Sequence, residues 1–453
     1  MNKRIIALIL LLNSLGLAGA AAAEDVSVTI YNTNLGVVRE TRDLTFKQGS
    51  GRVSFIDVPT LIDPTSVGFE LTDKTKSVAI LEQNYAYDLV SPEKIYAKYI
   101  DLEIDVFNKD GQFFSGTLLS HAGGALVLRD TSGKIQIIRM DQVVNVNFPE
   151  LPEGLITRPT LFWLYRSDFS GTAKCHVSYQ TGGMSWSAEY VGILSEDEED
   201  MDLTGWSSIS NSSGATYRDA TLKLIAGDIH RAPPPRQRGR YELFEKAAPS
   251  LDTGMGFEEK EFFEYHLYTL PRKATIANNE IKQIALFEPA FTPVDKEYYF
   301  EPEKNPKKVR VSVKFANKKE EGLGIPLPAG RVRVFKADTD GSMVLLGEDR
   351  IDHTPKDEEV KLTVGYAFDI AAEEKLVIYD KISARVEERT YEIMLRNHKN
   401  EAITVFIEKK LYGDWQIIDT THEYKKIDAG TIRFELPVDA NGKATITFKV
   451  RTS

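Results

Sequence analysis

Alternation with a period of two runs through this chain from end to end, and no long stretch shows the 3.6-residue period of a helix. Val26-Ser27-Val28-Thr29-Ile30-Tyr31, Lys308-Val309-Arg310-Val311-Ser312-Val313-Lys314-Phe315 and Thr445-Ile446-Thr447-Phe448-Lys449-Val450 are examples. Each puts apolar side chains on one face of a pleated strand and polar ones on the other. Such half-buried strands favour antiparallel sheets, since parallel sheets are usually covered on both faces. Turn signals separate them at Lys109-Asp110-Gly111, Thr181-Gly182-Gly183, Asn397-His398-Lys399-Asn400 and Ala440-Asn441-Gly442. Only Pro92 to Tyr99 reads as a helical turn or two. The expected fold class is therefore mainly β.

The chain has 453 residues, too many for one compact core and enough for two or three domains of roughly 150 residues. Residues 24–98 read as an N-terminal β unit, with Pro59 and Pro64 marking edges and turns. Residues 99–150 pack about five short strands between tight turns, the pattern of a small SH3- or Sm-like barrel. Residues 155–453 read as a large C-terminal β-sandwich-type domain. The run Ala232-Pro233-Pro234-Pro235-Arg236 interrupts it, because consecutive prolines lack donors and favour polyproline II. The polar stretch that follows has too little apolar content to fold alone. Residues 230–260 are thus expected to form an exposed, mobile insertion, with a proline-rich recognition motif as the alternative.

Residues 1–23 have the three-part layout of a secretory signal peptide: the basic Met1-Asn2-Lys3-Arg4, the apolar Ile5 to Leu12, and a small-residue tract with Ala21-x-Ala23 before Glu24. The mature chain is expected to be exported, periplasmic or extracellular, with no transmembrane segment. No cysteine near the cleavage site supports a lipid anchor. The chain carries 56 Lys+Arg against 67 Asp+Glu, and loses two of those cations with the signal. So acidic a surface repels nucleic acid and anionic lipid, which excludes both as expected partners. Cys175 is the one cysteine, so no intramolecular disulfide forms. It lies in an alternating run and reads as a small buried strand residue, with a reactive thiol as the alternative.

Catalytic and metal templates fail in turn. The seven histidines form no H-E-x-x-H or H-x-H arrangement. Gly183-Met184-Ser185-Trp186-Ser187 ends in serine where a nucleophile elbow needs glycine, and it reads as part of a hairpin. Ser91-Pro92-Glu93-Lys94 matches S-x-x-K without its S-D-N or K-T-G partners. The acidic run of residues 196–202 lacks the glycine and the alternating order of a calcium loop, so a solvated loop is favoured over a calcium site. No catalytic residue, metal ligand or cofactor is assigned. Aromatics remain: Trp186 and Tyr190 share one strand face with Ala188, and Trp206 follows on the next strand. These three are the candidate ligand-binding residues, although large aromatics on one sheet face more often build a core.

The same segments carry a resemblance. Tyr179-x-Thr181-Gly182-x-x-x-Trp186-x-x-x-Tyr190, Gly205-Trp206, Asn211-x-Ser213-Gly214-x-x-Tyr217-x-Asp219-Ala220, Pro326-Leu327-Pro328-Ala329-Gly330 and Gly413-x-Trp415 are similar to a secreted bacterial family with a C-terminal domain of unknown function, as in mucoidy-inhibitor A-like proteins. Val28-x-Ile30-Tyr31-x-x-x-Leu35-Gly36-Val37-Val38-Arg39 resembles the start of those proteins. This chain departs from the longer members in having the small barrel where they have a coiled-coil hairpin. The resemblance brings no catalytic residues, and implies an exported envelope protein. Two functions are therefore expected of this chain: a non-catalytic β scaffold or binding module for an envelope protein or glycan, or a secreted hydrolase acting on polysaccharide or peptide through paired carboxylates.

Overall fold

The structure is a computed structural model that describes residues 23–453 apart from 153, 228, 230–256 and 263–264. The expected signal peptide and most of the expected insertion lie outside these residues. The fold is mainly β, with a single short α-helix, Pro92–Lys98, among the described residues. Its N-cap is Ser91, whose hydroxyl accepts from the amide of Lys94, satisfying one of the free donors at a helix start.

A seven-stranded sheet organises the first module, in the order Glu258–Phe262, Tyr265–Ile276, Tyr217–Ala226, Glu24–Tyr31, Gly36–Phe46, Gly171–Thr181, Ile62–Leu71. One half packs on a three-stranded sheet of Gly49–Ile56, Thr160–Ser167 and Val78–Ala86, where Phe46 meets Tyr165 and Phe69 meets Trp163 edge-on. The other half packs on a sheet holding Glu280–Ala285, Asp200–Asn211, Met184–Leu194, Gly330–Ala337 and Met343–Ile351. Trp186 and Tyr268 join those two layers edge-on.

This pairing corrects the expected N-terminal unit over residues 24–98. Glu24–Tyr31 runs parallel to Tyr217–Ala226, with Val28 opposite Leu222, and Gly36–Phe46 pairs along its length with Gly171–Thr181. Residues 24–86 are therefore part of the same module as residues 160–351. Alternation marks where a strand is but not which strand it pairs with, so the distant partners were not legible.

Residues 103–147 form a self-contained five-stranded sheet, with the last strand, Val143–Asn147, returning beside the first, Glu103–Asn108. Its own core gathers Ile104, Val106, Leu118, Leu126, Leu128 and Ile138, with Ile95 and Tyr96 of the helix packed against it. Gly116 sits where a Cβ would come within 2.5 Å of the Arg129 carbonyl oxygen, so no larger residue fits that strand crossing.

A nine-stranded sheet built from residues 295–452 forms a second sandwich by folding over on itself, which brings Phe434 against Phe448. Its core includes Phe300, Val309, Ile370, Ile393, Val405, Ile407 and Phe448. The segment expected as one domain over 155–453 thus contributes to two cores. The 23-residue strand Glu359–Lys381 runs through both, giving Val360 and Leu362 to the first and Ile370 and Ala372 to the second.

Buried asparagines hold the corners. Asn211 donates to the carbonyls of Ala215, Ile276 and Ala277, while its side-chain oxygen accepts from Ser213. Asn397 does the same for Glu401, Val438 and Asp439, so loop carbonyls that would otherwise be costly to bury are satisfied.

Candidate functional site

Strand alternation separates the three candidate aromatics. Trp186 lies opposite Ile209 and Tyr190 opposite Gly205, whereas Trp206 lies opposite Glu189. Trp186 and Tyr190 therefore point between the sheets and Trp206 points out, which corrects the expected cluster. Trp186 is 4% exposed and donates through Nε1 to the carbonyl of Ile225 at 2.9 Å. Tyr190 is fully buried and donates to the carbonyl of Pro328 at 2.7 Å; burial holds its phenol well above the usual range. Tyr268 likewise donates to Pro326. The recurring tyrosines and the Pro326–Gly330 segment are thus one structural fastening.

Trp206 is 40% exposed and borders an ion-pair network in which Glu189 accepts from both Arg331 and Arg333, and Arg333 also reaches Glu348. Trp206→Ala is expected to change stability by no more than about 0.5 kcal/mol, as surface substitutions do. Urea unfolding of the variant checks this; a large loss would place that ring in a packed interface.

The acidic run forms a tight loop whose carboxylates have other work. Glu198 is bridged by Lys296 and by Lys336, and Ser195 donates to Asp197. Among the described residues no three His, Cys, Asp or Glu side chains converge as metal ligands do. Cys175 is wholly buried, and burial pushes its thiol up to about 12, so it is protonated and unreactive at neutral pH.

A cleft of about 600 Å³ lies at the open end of the second sandwich. Four strands reach it, and on each the inward, apolar phase turns polar near the mouth. Ile403, Val405 and Ile407 point inward, and Lys409 occupies the next inward position; Ile370 and Ala372 are followed in the same way by Glu374. Lys409 is only 7% exposed, and its ammonium lies 2.6 Å from Glu303 and 2.9 Å from Glu374 Oε2, over the ring of Tyr391. Glu374 Oε1 is 2.8 Å away and has no hydrogen bond. Burial raises the Glu374 carboxyl above its ordinary range, with Lys409 opposing. Burial also works against the charge on Lys409, but its bonds to the two glutamates outweigh this and hold it above its ordinary value.

Around this floor the rim carries Lys381, Arg385, Arg389 and Lys410 with Tyr379 and Tyr412. None of these was singled out in the sequence. The available signal was a charged residue at the inward phase of an alternating strand, as at Lys409.

No family model matches this sequence, and no curated protein matches it.

Proposed function

We propose that this chain is an exported, non-catalytic envelope protein, a β scaffold that binds a protein or a glycan outside the cytoplasm, in keeping with the family resemblance noted above. The observation that carries this reading is the state of the cleft's acidic pair. Glu303 and Glu374 both lie within hydrogen-bonding distance of one nitrogen, close enough for the two carboxylates of a retaining glycosidase. Lys409 fills the space between them, where a scissile bond would have to sit. The raised Glu374 carboxyl is the one feature favouring the hydrolase reading, in which it would act as the acid. Further support for a scaffold comes from the filled sheet faces, where the aromatic residues are structural fastenings.

The exported protein is expected to begin at Glu24 by N-terminal sequencing, and the immobilised mature chain to retain a saturable partner from envelope extract. It should release no new reducing ends or peptide termini from envelope polymers. Hydrolysis that disappears in Glu303→Gln would replace this reading with the hydrolase, and a chain beginning at Met1 would remove its exported location.

A further inference from the structure

We propose that the cleft at the mouth of the second sandwich binds a short segment of acidic, carboxylate-bearing polysaccharide. This rests on the reading of the chain as a binding module and names the ligand class and the place.

Carboxylates outnumber cations in the chain, 67 to 56, so surface cations readily find partners. Most on this sandwich have done so: Arg433 pairs with Glu408, Lys449 and Arg451 with Glu388, Lys425 with Glu435, and Lys399 with Glu401. Lys381, Arg385 and Lys410 have not. All three face the same cleft, and among the described residues no carboxylate lies within ion-pairing distance of any of them. Lys410 influences Asp428 only through space. The acidic side chains lining the cleft are already occupied, Glu303, with the adjoining Glu374, by Lys409 and Glu387 by Arg389. The rim therefore stays cationic on an acidic molecule, and a concave wall concentrates that field on an incoming anion.

The cations come with rings. Tyr379 and Tyr412 are 51% and 73% exposed on the cleft wall, and Tyr391 lines its floor. The Tyr379 hydroxyl already donates to Glu387 and Arg389 lies over its ring, so Tyr412 is the tyrosine that offers a flat face to stack on a sugar ring and a hydroxyl to bond to it, while Arg385 supplies a fork for a carboxylate. A cavity of about 600 Å³ falls in the range of ligand-sized sites. An acidic peptide would satisfy the cations but gives Tyr412 no such role.

The test is affinity electrophoresis of the full mature chain in gels containing polygalacturonate, dextran or poly-glutamate, compared with Lys381→Ala/Arg385→Ala/Lys410→Ala. The three side chains are exposed and unpaired, so the variant should keep the wild-type unfolding midpoint, which is measured alongside. The wild type is expected to be retarded by polygalacturonate and not by dextran. Retardation should weaken between about 0.05 M and about 0.3 M salt as screening shortens the field, and fall at least about tenfold in the variant. Equal retardation of wild type and variant would overturn the cleft assignment while leaving a glycan-binding module intact. Retardation by poly-glutamate at least as strong would overturn the polysaccharide in favour of an acidic peptide. No retardation in any gel would overturn this proposal alone, since capture of a partner from envelope extract tests the binding-module reading separately.

Discussion

Trp186→Ala is expected to lower the stability of the first module by about 3–5 kcal/mol, the usual cost of replacing a buried tryptophan. The ring is 4% exposed and lies between two sheets, meeting Tyr268 edge-on. Its removal leaves a cavity that sheet backbones on either side cannot close, since both are held by their own ladders. It also leaves the Ile225 carbonyl without the indole donor, an added penalty for a buried acceptor. Urea unfolding followed by circular dichroism measures the effect. A midpoint unchanged from wild type would mean that the ring is not part of the core, and would return Trp186 to the list of binding residues.

Lys409→Met should cost a similar amount, about 3–5 kcal/mol near neutral pH, because it strands two carboxylates in a partly buried site. The methionine fills the space but leaves Glu303 and Glu374 facing each other uncompensated. The direction of the pH dependence follows from Glu374, whose folded-state pKa is already raised by burial. A carboxyl with a raised folded pKa favours the fold when protonated. That contribution is complete below the unfolded value and is lost as pH rises through the folded one. The variant's deficit should therefore be smaller at about pH 4.5 than at about pH 8, relative to wild type at the same pH. Adding Glu374→Gln should recover part of the loss at the higher pH. Equal deficits at both values would show that Lys409 acts by packing alone.

Much of the secondary structure was legible because alternation records burial directly. The five short strands expected between 101 and 148 appear as Glu103–Asn108, Phe113–Ser120, Ala125–Arg129, Ile135–Arg139 and Val143–Asn147; the first four pair in sequence order, while the last returns to pair with the first. Turn chemistry carried less. Lys109-Asp110-Gly111 closes a hairpin, but Gly182-Gly183 leads from the seven-stranded sheet to a different one. The hairpin expected there is absent, since a glycine at positive φ serves an arch between layers as well as a tight turn. Asn441-Gly442 and the turn after Asn397 also join strands that are not paired with each other. The candidate site was least legible. Trp186 and Trp206 looked adjacent because their strands are consecutive, and only the register, with Trp206 opposite Glu189, shows that they face opposite ways. The cleft residues come from four strands and three loops between 303 and 453, and no local spacing links them.

The long strand Glu359–Lys381 ties mechanics to architecture. It is anchored by Val360 and Leu362 in one core and by Ile370 and Ala372 in the other, and its far end carries Tyr379 and Lys381 at the cleft. Tension applied to a polymer held at that mouth would be passed along the strand axis into ladders that flank it on both sides. Hydrogen bonds loaded in this way share the force in parallel and yield together, not one at a time. Grip and body are thus the two ends of one continuous strand, from Val360 in the first core to Lys381 at the cleft.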